Sequence, residues 1–167
     1  MFRSTMTALA VLFVSTAGAT AANFPFWYGG AVVDSVTAQC ANGGFVVAKD
    51  YMPSTYRAKT GIAGEPQNPG INFYRGLSTY AYFRTSGNPS TMNGSGQGKG
   101  YLIRGNVTTI PNPSQQPYNF TFNFNVTPTT ITTTTQTVTI DGTIGNWRNV
   151  AGCTVTFRAA YRLGAWQ

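Results

Sequence analysis

Phe120-Thr121-Phe122-Asn123-Phe124-Asn125-Val126-Thr127 puts an apolar residue at every even position and a polar one at every odd position. A period of two is the repeat of a strand with one buried face; a helix would spread these rings around its axis. Pro117 and Pro128 bracket the run and set its length. Working outward, Cys153 to Arg162 repeats the pattern. Cys153, Val155, Phe157, Ala159 and Tyr161 share one face, and Thr154, Thr156, Arg158 and Arg162 the other. Val138 to Ile144 alternates too, with Gly142 expected as a bulge. Weaker alternation predicts strands over 31–40, 44–48, 71–74, 78–85 and 101–109. Short strands separated by Gly, Asn and Pro predict an all-β fold, a single antiparallel β-sandwich with a β-barrel as the alternative.

Three stretches break the alternation. Residues 60–70 and 111–117 read as loops, and Ser86 to Gly100, with Gly87, Gly94, Gly96, Gly98 and Gly100, reads as the most flexible connector. At the other end of the chain, Arg3, the apolar run from Met6 to Val14 and Ala19-Thr20-Ala21 have the layout of a cleaved secretory signal over residues 1–21. The run is too short to span a bilayer, which takes about 20 apolar residues, and no transmembrane span is expected elsewhere. Residues 22–30, with Phe24, Phe26 and Tyr28 alternating, are expected as an aromatic N-terminal arm. Residues 31–167 are expected to form one domain, periplasmic or extracellular, from a bacterial source. In an oxidising compartment Cys40 and Cys153, the only cysteines, are expected to join and so bring the N- and C-terminal strands side by side.

Composition then excludes chemistry. The chain has no His, which removes Ser-His-Asp and Cys-His catalysis and His-ligated metals. Four carboxylates, Asp34, Asp50, Glu65 and Asp141, leave little from which to build a calcium cage or a two-carboxylate site. No S-x-x-K element supplies a Ser-Lys dyad. A His-free hydrolase would need Glu65 or Asp50 beside Tyr and Arg in one concavity. Gly94 to Gly100 lacks the leading Gly, the Ser/Thr after Lys99 and the following helix of a phosphate loop. No enzyme, no cofactor and no metal site is expected. The sequons at Asn93, Asn106, Asn119 and Asn125 carry no functional inference in so Asn- and Thr-rich a chain.

What remains is the sign of the charge: 11 Lys and Arg against 4 Asp and Glu, a formal net charge of +7. By strand alternation Arg158 and Arg162 share a face with Thr154 and Thr156, Arg84 shares one with Tyr80 and Tyr82, and Arg104 lies opposite Ile103. If these strands are neighbours, Tyr80, Tyr82, Arg84, Arg104, Arg158 and Arg162 form one face for anionic or glycan ligands, through Arg forks and aromatic stacking. Nucleic acid is not an expected partner, since no aromatic RNA-binding signature is present. The alternative is a structural subunit that assembles through the aromatic arm, as strand-donating pilus subunits do. The oligomeric state stays open.

The segment Gly152-Cys153-Thr154-Val155-Thr156-Phe157-Arg158-Ala159, following Ile140-Asp141-Gly142-Thr143-Ile144-Gly145-Asn146-Trp147, resembles the end of a group of uncharacterised small secreted bacterial proteins with an early Cys. The resemblance implies export, an all-β fold and the disulfide, and it implies no activity. Together these features lead to the expectation of a non-catalytic exported protein, a cell-envelope accessory or binding domain for anionic or glycan polymers.

Overall fold

A computed structural model describes residues 24–41, 46–75, 79–86, 90–104 and 117–164. The expected signal at 1–21 and the connector at 111–116 lie outside the described residues. Eight strands follow one another in chain order: β1 (Trp27–Val36), β2 (Tyr51–Arg57), β3 (Gly70–Arg75), β4 (Thr79–Thr85), β5 (Gly94–Arg104), β6 (Tyr118–Thr127), β7 (Thr137–Gly145) and β8 (Thr154–Leu163). Each pairs antiparallel with the next, and β1 also pairs with β8, so the sheet closes into a barrel. The fold is thus the barrel and not the sandwich. Alternation is the same in both. The deciding contact, β1 with β8, joins segments more than a hundred residues apart, and local periodicity does not announce it.

An eight-stranded barrel has a bore just wide enough for side chains to fill. Here aromatic rings fill it. Phe73, Phe83, Phe120, Phe124 and Phe157 are all but fully buried, and Phe83–Phe120, Phe73–Phe157 and Phe124–Phe157 pack at centroid distances of 4.9, 5.1 and 5.4 Å. β6 alone sends in Tyr118, Phe120, Phe122 and Phe124, while Asn119, Thr121, Asn123, Asn125 and Thr127 face out. This polarity is the inverse of a barrel that faces lipid, whose outward band is apolar.

Four rings from one strand fit because their neighbours are glycines. Tyr118 is the register partner of Gly100, Phe120 of Gly98 and Phe122 of Gly96 on β5, and Phe124 is the partner of Gly142 on β7. A Cβ at any of these glycines would overlap the facing ring. Residues 94–100 of the Gly-rich run expected to be a flexible connector are therefore part of β5, and Gly96, Gly98 and Gly100 alternate because the rings opposite them alternate. Gly142 likewise is a ring seat and not a bulge. The bulge lies in β1 at Asp34, where the β8 register shifts between Val33 and Ser35.

Two further departures from the expected elements have structural causes. Residues 46–50 form a turn, and the strand comes later, at β2, where Pro53 pairs with Gly30 of β1 just before pairing with β3 begins at Ser54. A ladder to β1 alone tolerates the missing N–H that would weaken a doubly paired position. The arm boundary expected at residue 30 falls inside β1. Trp27 is fully buried and donates its indole N–H to the Thr135 carbonyl at 2.8 Å, and Gly164 N–H donates to Phe26 O at 2.9 Å.

Where β1 ends and β8 begins, the short helix α1 (Ala38–Ala41) carries Cys40 to Cys153, with Cα atoms 4.7 Å apart. Beside it a 3-10 turn (Trp147–Asn149) inserts Trp147 between Phe73 and Phe83, at 5.1 and 5.0 Å, and stoppers the bore. At the opposite end, the loop between β2 and β3 is clamped by Glu65, 5% exposed. Its carboxylate accepts from Thr60 N–H and Oγ1, both at 2.9 Å, and from Gly61 N–H at 2.6 Å. Burial alone would raise the pKa of this acid; the Thr60, Gly61 and Ile62 backbone N–H groups and the Thr60 hydroxyl outweigh it and hold the carboxyl below its usual range.

Three measurements test this account. At Gly96 an added Cβ meets only the Phe122 ring, whereas at Gly98 it also meets the Arg84 carbonyl. Urea unfolding should show both Gly→Ala variants destabilised by about 1–3 kcal/mol or more. Phe122→Leu should recover part of the Gly96→Ala loss in a double-mutant cycle, and Phe120→Leu should recover less of the Gly98→Ala loss. Reduction of Cys40–Cys153, which closes a separation of 113 residues, should cost up to about 4–5 kcal/mol in the chain-entropy model. Glu65→Ala should cost about 1 kcal/mol or more near neutral pH by leaving the part-buried Thr60 and Gly61 donors without their acceptor. Because the folded pKa is depressed, this carboxylate stabilises above the unfolded value of about 4.3. That contribution is lost as pH falls through the folded value, so the gap between wild type and variant should narrow in acid.

Candidate functional site

Strand register arranges the outward side chains in rows that cross the barrel wall. One row runs Arg57 (β2), Gly70 (β3), Arg84 (β4), Lys99 (β5) and Asn119 (β6). The next runs Thr55, Asn72, Tyr82 and Tyr101. Neighbouring strands are about 4.8 Å apart and successive outward residues about 6.8 Å apart, so the two rows form one grid of basic, aromatic and amide groups.

The grid is internally braced. Tyr82 and Tyr101 stack at 5.7 Å with planes 25° apart, and the Arg84 guanidinium carbon lies 6.0 Å from the Tyr101 centroid. Gly70 clears the space that the Tyr82 ring occupies, since a Cβ there would overlap the ring. Arg57 Nη2 donates to Tyr82 Oη at 3.3 Å and to the Asn68 carbonyl at 3.1 Å. Lys99 Nζ donates to Asn119 Oδ1 at 2.6 Å. Asn72 Nδ2 donates to Thr55 Oγ1 at 2.7 Å, and Tyr74 Oη lies 3.3 Å from that hydroxyl. Among the described residues this wall carries Arg57, Arg84 and Lys99 and no carboxylate.

The six residues expected to share one face do not. Tyr82 and Arg84 belong to the grid, and the Tyr80 backbone sits one row beyond, in register with Tyr74 and Ile103. Arg104 pairs with Thr79, off the row of Lys99 and Tyr101. Arg158 and Arg162 are on β8, four strands from β4 in either direction around the barrel, and so on the opposite wall. The premise that these strands are neighbours fails because closure places β8 between β7 and β1. Arg57, Lys99 and Tyr101 join the grid instead. Pro53 hid the strand that carries Arg57, and the glycines hid the one that carries Lys99. The alternation of Gln97, Lys99 and Tyr101 against Gly96, Gly98 and Gly100 was the signal that could have found Lys99.

The opposite wall has a different charge pattern. The β1 bulge turns Asp34 toward Arg158, whose Nε and Nη2 both donate to its carboxylate at 2.9 Å. The Arg158 guanidinium holds the Asp34 carboxyl below its ordinary value, and Asp34 in turn raises Arg158. Asp141 is the register partner of Arg158 on β7. With Arg162, the strands of this wall hold two acids and two bases. Glu65 is committed to its loop clamp, and Asp50 accepts from Val47 N–H at 3.3 Å. Among the described residues no three Cys, Asp or Glu side chains gather in a way that could hold a metal ion.

Comparison with protein-family models, curated proteins and solved structures returned no match, so the functional reading rests on the geometry of the two walls.

Proposed function

We propose that this is a non-catalytic exported binding domain that engages anionic or glycan polymers of the cell envelope through the outer wall of β2 to β5. The observation that carries it is the row of Arg57, Arg84 and Lys99 beside the Tyr82–Tyr101 stack, on a wall whose described residues include no acid. Fixed cations about one or two strand spacings apart suit a ligand with repeated negative charge. Guanidinium forks suit carboxylate, sulfate or phosphate oxygens. Stacked phenol rings offer an apolar shelf for the uncharged parts of such a polymer. The disulfide supports an oxidising destination.

The full chain, passed over immobilised polygalacturonate and lipopolysaccharide at low ionic strength, should be retained on at least one of them and released as salt screens the contacts. Arg84→Ala with Lys99→Ala should weaken retention about tenfold or more, the scale of losing charge-assisted hydrogen bonds. Arg158→Ala, on the other wall, should leave it nearly unchanged. Failure of the wild type to bind either polymer, or equal retention of the double variant, refutes the proposal.

A further inference from the structure

The large apolar side chains that stand exposed among the described residues are Tyr28 (54%), Val32, Val47 and Tyr51 (66%). They sit on β1, on the turn before β2 and on the first residue of β2; Tyr51 pairs with Val32, whereas Tyr28 pairs with Thr55 at the edge of the basic grid. Solvent-exposed apolar groups gathered on one wall mark a contact surface more often than scattered ones do. Their placement is also built. A Cβ at Gly30 would overlap the Tyr51 ring, and a Cβ at Gly164 would overlap the Tyr28 ring. Two glycines thus let the rings lie against the sheet with much of each ring open to solvent.

Beside Tyr51 the wall is indented. Gly30 and Ala160 are register partners, and Thr139 faces Ala160 from β7, so a row of small side chains crosses three strands. The resulting shallow groove, about 420 Å3, is edged by Val32, Arg158 and Asp141. Its floor is apolar, and its edges offer a hydroxyl, a carboxylate and a guanidinium. Among the described residues the acids and bases here, Asp34, Asp50 and Asp141 against Lys49, Arg158 and Arg162, balance, so this wall does not select for ligand charge as the grid does.

We infer that this groove, with Tyr51 and Tyr28, is a second binding site, and that its ligand is an uncharged saccharide chain. A sugar ring has an apolar face to lie on a phenol ring and a rim of hydroxyls. Those hydroxyls match the donors and acceptors of Thr139, Asp141 and Arg158, the combination of apolar floor and few polar groups usual in small-ligand sites. The inference does not rest on the basic wall, and either site can fail alone.

The test is titration of the full chain with neutral hexasaccharides of the chito, cello and malto series, followed by calorimetry and by NMR shifts at β1, β7 and β8. At least one should bind. Tyr51→Ala should weaken it about tenfold, the upper scale of one aromatic contact. Gly30→Ala, which displaces the ring without removing it, should weaken it similarly, whereas Tyr51→Phe and Arg84→Ala should bind as wild type. Thermal melting of each variant checks that the barrel is intact. Absence of binding to all three series, or binding indifferent to both Tyr51→Ala and Gly30→Ala, overturns the inference. So does a sedimentation-detected dimer that Tyr51→Ala dissociates, because a second copy would then be the occupant.

Discussion

The barrel depends on a trade of volume across its hydrogen-bonded strands. A bore of eight strands cannot hold large side chains from every inward position, and this chain gives the space to β6. Tyr118, Phe120, Phe122 and Phe124 enter, and the register partners Gly100, Gly98, Gly96 and Gly142 withdraw. Gly in a strand ordinarily weakens it through backbone entropy and absent packing. Here the ring opposite supplies the packing, and the facing pair behaves as one large residue shared between two strands. Trp147, against Phe73 and Phe83, completes the filling from the end at which the disulfide ties α1 to the start of β8.

The same closure decides which surface groups meet. Because each strand lies beside its neighbours in sequence, outward-facing side chains distant in the chain come together where β1 meets β8. Arg57, Arg84 and Lys99 form a row because β2 to β5 are consecutive. Arg158 meets Asp34 because β8 closes on β1 and a bulge there turns the acid toward it. The wall made from consecutive strands keeps its cations unopposed by acid among the described residues. The wall at the seam collects Asp34 and Asp141 and neutralises its own. A chain with so few carboxylates has in this way produced two surfaces of different character.

The strands with a plain period of two, β6, β7 and β8, were legible from their alternation, as were β3 and β4 in outline, and the cysteine pair pointed to the joined ends. β2 and β5 were not. Pro53 breaks the propensity of β2, and only its partner at that point, Gly30, explains why it is tolerated. β5 has glycine at the positions where alternation is normally read, so half of its signal lies on another strand. The site inherits that difficulty. Tyr82 and Arg84 were found, whereas Arg57 and Lys99 sat on segments that resemble loops. The parts of the fold that needed knowledge of a partner strand were the parts that stayed hidden.

The position of the disulfide has a consequence for how the ring stays closed. Cys40 lies just beyond β1, and Cys153 just before β8, the strands whose pairing is the last link of the ring in sequence order. In the barrel that seam is what holds the two cysteines side by side, since every other strand pair can assemble with the two ends apart. The disulfide is therefore a lock on the closing joint of the ring. A chain whose seam has come apart is an open sheet with two bare edges, and such edges are open to pairing with one another.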